Sequence, residues 1–112
     1  MKTRANDLYI YDILECCQKI DRYLTGLTKQ NFEDDPMVQD AVVRNIEIIG
    51  EASKCLSDEF RDQKPNIEWR EIMRMRDKII HHYFKIDLAL VWETAKQDIP
   101  NLALELQNPN NG

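Results

Sequence analysis

The chain has 112 residues, 43% of them hydrophobic and 31% charged, with three glycines, four prolines and a formal net charge of −5. That length supports one domain around a single hydrophobic core, and the balance of apolar and charged residues excludes a disordered chain. The acidic total argues against a broad electrostatic footprint on nucleic acid, and no run approaches the ~18 apolar residues that a membrane span needs.

So few turn formers predict long helices. The first is expected from about Thr3 to Thr25, because Ile10, Ile13, Cys17, Ile20, Leu24 and Leu27 recur at alternating steps of three and four. Asn6 or Asp7 is an alternative cap for a later start, and Gly26 is a natural stop. The second is announced by Asp34-Asp35-Pro36, with Asp35 as cap and Pro36 at the first helical position. Val38, Val42, Ile46, Ile49, Ser53, Leu56 and Phe60 form its apolar stripe, with Arg44, Glu47, Glu51 and Lys54 opposite. Gly50 in mid-helix costs about 1 kcal/mol against alanine, which close approach by a neighbouring helix would explain.

After the polar loop Asp62-Gln63-Lys64-Pro65-Asn66, a third helix is expected with Asn66 as cap and Trp69, Ile72, Met73, Ile79 and Ile80 as core face. A fourth opens at Asp87 and carries Leu88, Val91, Trp92, Ala95 and Ile99. Pro100 predicts a kink or break near Asp98, followed by a last stretch holding Leu102 and Leu106. The expected fold class is all-α, an antiparallel four- to five-helix bundle. Residues 1–107 are expected as one domain and 108–112 as a flexible tail.

The N-terminal segment turns polar and acidic where a signal peptide needs an apolar core. Cys16, Cys17 and Cys55 are odd in number and lack C-x2-C spacing, so they read as reduced thiols of a cytoplasmic protein, not as part of a zinc site. Charge is uneven. Residues 61–85 carry seven basic side chains against four acidic ones, +3 for the segment and −8 elsewhere. Such a segment is either a local phosphate-admitting patch on an acidic body or an ordinary mixed-charge helix face.

The chemistry-bearing stretch is Met75-Arg76-Asp77-Lys78-Ile79-Ile80-His81-His82-Tyr83-Phe84. Arginine holds phosphate bidentately, histidine moves protons near neutral pH, and tyrosine donates or accepts through its hydroxyl. The same residues at a helix end also serve packing and capping. On one straight helix His81 lies about 140° and roughly 7.5 Å along the axis from Arg76, so the two would not converge. Either the helix opens near His81 or a second copy of the chain completes the site. Asp77, by contrast, lies four residues before His81 and on its face of a continuous helix, where it would orient the ring and raise its pKa.

Arg76, His81 and Tyr83 in R-x4-H-x-Y spacing closely resemble the HepT-like branch of the HEPN superfamily. The similarity extends to Arg44-Asn45-Ile46-Glu47-Ile48-Ile49-Gly50-Glu51-Ala52, Trp69-Arg70-Glu71-Ile72 and Asp98-Ile99-Pro100. The resemblance implies a dimerising helical bundle that acts as a metal-independent endoribonuclease toxin. It also implies an antitoxin, the minimal nucleotidyltransferase MntA, which uses ATP and Mg²⁺ to place AMP on the motif tyrosine. By position, Arg76 and His81 would be catalytic and Tyr83 the AMP acceptor, with no cofactor on this chain. Asp77, His82, Arg44, Asn45, Glu47 and Glu51 would be supporting residues. His82 also satisfies the looser superfamily spacing, but His81 alone completes H-x-Y. RNA would be cleaved by attack of a 2′-OH on the adjacent phosphate, leaving a 2′,3′-cyclic phosphate. A second reading is a catalytically weak HEPN module that complexes with a nucleotidyltransferase and accepts nucleotide on Tyr83.

Overall fold

The computed structural model describes residues 5–81 and 85–108, with the side chain of His81 outside that description. His82, Tyr83 and most of the expected tail therefore lie outside the described residues.

Helix α1 spans Asn6–Leu24 and α3 spans Pro36–Cys55. Their apolar stripes face each other: Ile13, Ile20, Val42, Ile46 and Ile49 are fully buried. Asp35 accepts a hydrogen bond from the Val38 N–H and Pro36 opens α3, as its sequence indicates. Gly26 stops α1 with φ +80°, a left-handed conformation that favours glycine. Neither Asn6 nor Asp7 caps α1; the N-cap position falls on Ala5. Asn6 instead crosses the fold, donating to Ser57 Oγ and accepting from the Ser57 N–H, both at 3.0 Å.

The expected long helices are subdivided. Helix α2, Lys29–Glu33, is held by a reciprocal Thr28–Asn31 capping box and buries Phe32 against Trp92. The stripe read continuously to Phe60 is interrupted: α3 ends at Cys55, and Ser57 caps a new helix, α4, at Asp58–Asp62. Phe60 then packs edge-on against Trp69. The third expected helix starts at Trp69 without an Asn66 cap and divides at Arg74 into α5, Trp69–Met73, and α6, Met75–Ile79. Its buried line runs through Ile72, Met75 and Ile79, with Met73 only partly covered.

After α6 the chain becomes extended. Strands β1, Ile80–His81, and β2, Lys85–Ile86, pair antiparallel, with Ile80 opposite Ile86 and His81 opposite Lys85. Asp87 caps α7, Leu88–Glu93, through the Leu90 N–H. The break expected near Asp98 takes the form of a π-helical turn at Thr94–Asp98, leading into α8, Ile99–Gln107. There the Ile99 N–H reaches back five residues to the Thr94 carbonyl. The widened turn makes room for Pro100, which lacks an N–H and whose ring crowds the carbonyl four residues back. Leu102 and Leu106 are buried as their spacing indicates. Lys64, itself buried, donates from Nζ to the carbonyls of Glu105 and Asn108 and so closes the C-terminal end of α8. Among the described residues no helix is long and apolar enough to cross a membrane.

Gly50 does lie against α5, but a Cβ there would meet the Ile72 carbonyl oxygen at 3.5 Å and that of Met73 at 3.6 Å. Those are ordinary contacts, so the approach excludes large side chains and admits a methyl. Gly50→Ala is expected to leave stability unchanged or raise it by up to about 1 kcal/mol, whereas Gly50→Leu should cost ~1–3 kcal/mol by overpacking; urea unfolding measures both. Lys64→Met should cost about 0.5–1.5 kcal/mol, because it removes the charged donor that the C-terminal carbonyls of α8 share. No measurable change in the same assay would rule that role out.

Candidate active site

Positions 44, 47, 48, 51, 52 and 55 recur at three- and four-residue steps and form one lengthwise face of α3. That face is the floor of an open groove of about 520 Å³. Tyr9 and Asp12 of α1 supply one wall and Arg76 of α6 the other. Arg76 Nε donates to Glu47 Oε2 at 2.9 Å, tying the motif helix to α3, and its Nη1 lies 3.6 Å from Asp77 Oδ1. The Arg76 side chain remains about half exposed, at 53%. Arg44, Glu47, Glu51 and Arg76, separated by up to 32 positions in the chain, therefore share one surface.

Two sequence expectations require correction here. Asn45 does not line the groove: it is buried, and its amide donates to the Ala41 carbonyl at 2.8 Å. Asp77 does not stand one helical turn below His81, because α6 ends at Ile79 and Ile80 is extended at φ −110°, ψ 117°. Asp77 is exposed and sits beside Arg76 instead. Of the two routes around the straight-helix difficulty, the backbone takes the first: the helix opens before His81. Tyr9 and Asp12 went unnoticed in the sequence because they flank the apolar stripe of α1, where only their three-residue spacing would place them together.

The positive excess of residues 61–85 is not one patch. Arg61 turns inward to the Ser53 carbonyl and Asp58, Lys64 closes α8, Arg76 pairs with Glu47, and Lys78 pairs with Glu71 on another face of α6. The Lys78 hydrogen bond holds the Glu71 carboxyl below the usual carboxylate range. Along the groove itself two arginines face three carboxylates, Asp12, Glu47 and Glu51.

The described part is a helical bundle in which the helix carrying Arg76 gives way to a short strand at Ile80–His81, and a mixed-charge groove opens beside Arg76. The chain belongs to the family described as Ribonuclease HepT-like, whose model matches residues 13–108. It is 43% identical over 99 residues to the "Probable ribonuclease HepT" of Thermococcus cleftensis, covering 88% of this chain and 90% of that one. A "Putative RNase" of Methanocaldococcus jannaschii is 36% identical over 107 residues, 96% of this chain and 98% of the relative. A "Gamma-glutamylcyclotransferase and putative RNase" of the same organism is 46% identical, but the match spans only 45% of its length. No solved structure matches the chain.

Cys55 lies exposed at the end of the groove, whereas Cys16 and Cys17 are buried in the α1 seam. Burial pushes both thiols up, Cys17 to about 12. Since the thiolate is the nucleophile, a thiol-exchange reagent should modify one cysteine per native chain rapidly, and all three only after denaturation. Mass mapping should place the fast site at Cys55; a fast reaction at Cys17 would contradict the buried seam.

Proposed function

We propose that the chain is the toxin component of a HEPN/MNT toxin–antitoxin system, an endoribonuclease that cleaves RNA without a metal ion. The observation that carries this reading is the helix end at Ile79, three residues after the groove-lining Arg76. It keeps Arg76 on a rigid element, with its guanidinium at an open surface, and sends His81 off along a separate path. Cleavage through a cyclic phosphate needs a base for the 2′-OH, an acid for the 5′ leaving oxygen and a cation for the phosphorane. Arg76 supplies the cation, and its planar fork suits two phosphate oxygens at once. One motif histidine serves as either base or acid at a given moment. A two-fold dimer provides two histidines and two arginines in one cleft, which satisfies both proton transfers.

Tyr83 follows His81 by two residues and serves as the AMP acceptor for a minimal nucleotidyltransferase antitoxin, the enzyme that uses the ATP and Mg²⁺. The added nucleotide carries an anionic phosphodiester, which competes with RNA phosphate for the motif's cation.

One observation favours the second reading, a binding module that complexes with a nucleotidyltransferase. The groove lining carries one more carboxylate than arginine, which weakens its pull on a polyanion. The two readings part on a single experiment. Wild-type protein, produced without its antitoxin, should yield RNA fragments ending in cyclic phosphate. Arg76→Ala and His81→Ala should each slow that cleavage by roughly 10²–10⁴-fold. RNA left intact by a folded, dimeric wild type would sink the ribonuclease reading and leave the binding module.

A further inference from the structure

We infer that the two carboxylates beside Arg76 act in opposite senses: Glu47 positions the guanidinium, and Asp77 competes with phosphate for it. The inference builds on the ribonuclease reading, but its geometry stands apart from it. Glu47 comes from a different helix, is mostly covered, with 27% of its side chain exposed, and engages Nε at 2.9 Å. That bond leaves Nη1 and Nη2, the end of the fork, for an incoming phosphate. It also blocks the alternative side-on approach through Nε. A guanidinium fixed at Nε keeps its plane and direction, so the outer nitrogens are already aimed when substrate arrives.

Asp77 is the neighbour of Arg76 on the same short helix, where adjacent side chains do not face each other. Its contact is correspondingly loose, 3.6 Å to Nη1, and its side chain is 76% exposed. It occupies one of the nitrogens that a phosphate would use and adds a negative charge beside it. Phosphate binding displaces Asp77 and retains Glu47.

Three measurements separate these roles. The first is the Arg76 Nε–H correlation in ¹H–¹⁵N NMR spectra, assigned by its loss in Arg76→Lys. The second is affinity for a 2′-O-methyl oligoribonucleotide, which binds but cannot be cut. The third is the kcat of RNA cleavage. Glu47→Gln should shift or broaden the Nε–H signal and lower kcat on the order of 10- to 100-fold, with Glu47→Asp recovering part of the loss. Because a half-exposed ion pair adds little to stability, the thermal midpoint should barely move. Asp77→Asn should leave the Nε–H signal in place and tighten oligonucleotide binding roughly two- to fivefold. A Glu47→Gln protein with an unchanged Nε–H signal, or an Asp77→Asn protein that binds no tighter, would overturn the assignment. If the wild type cuts no RNA, the ribonuclease reading falls by itself, and the NMR and binding measurements still decide the two carboxylates.

Discussion

The mutual burial of α1 and α3 sets the position of nearly every other element. Ile13 and Ile20 on one helix and Val42, Ile46 and Ile49 on the other are removed from water completely, each contributing roughly 1.5–3 kcal/mol of transfer free energy. With that seam formed, the remaining faces of α3 are committed. One receives α5 and α6 across the shallow step at Gly50, and the adjoining one is left open as the groove. The Asn6–Ser57 pair fixes the end of α1 against the α3–α4 junction. The site is thus an uncovered strip of the same helix that builds the core, and its residues inherit the rigidity of that helix.

Much of this frame was legible in the sequence, because apolar periodicity and capping residues report local geometry directly. Asp35-Pro36, Gly26 and Asp87 act where their chemistry places them, and the α1 and α3 stripes are buried along their middles, with Ile10, Leu27 and Val38 only partly covered. The interruptions were harder. Phe60 keeps step with the α3 stripe even though the helix has ended, so periodicity alone carries on through the break; only Ser57 marks it. Helix α2 has five residues, too few to show a period, although the Thr28–Asn31 pair signals it. The error over Asp77 has the same root: an i,i+4 relation presupposes a helix that continues, and this one stops at Ile79. Within the site, Arg44, Glu47 and Glu51 could be grouped from helical spacing. Their meeting with Tyr9, Asp12 and Arg76 is tertiary, and no local pattern encodes it.

Charge offers a similar lesson. A run of basic residues along the chain invites the idea of a phosphate-binding surface, yet the fold distributes those cations to separate tasks. Arg61 and Lys64 satisfy backbone carbonyls, and Lys78 is engaged by Glu71. What remains at the groove is a small set of opposed charges in which individual geometry matters more than net sign. A polyanion meeting such a surface would feel a weak overall field, so any recognition there would depend on individual groups.

The π-helical turn at Thr94–Asp98 fixes more than a bend. By spending one residue more than an α-helical turn would, it sets the rotational phase of α8 relative to α7, so that Val91, Ala95, Ile99, Leu102 and Leu106 all arrive on the buried side. Deleting one residue within the turn would restore regular winding and leave α8 close to its present phase, whereas deleting one from the regular winding between the turn and Leu102 would rotate everything beyond it by about 100°. Leu102 and Leu106 would swing toward solvent, and polar Asn101 or Glu105 would turn inward. The turn is therefore the one stretch of this segment where a residue can be lost without changing which side faces the core, and the regular winding on either side has no such slack.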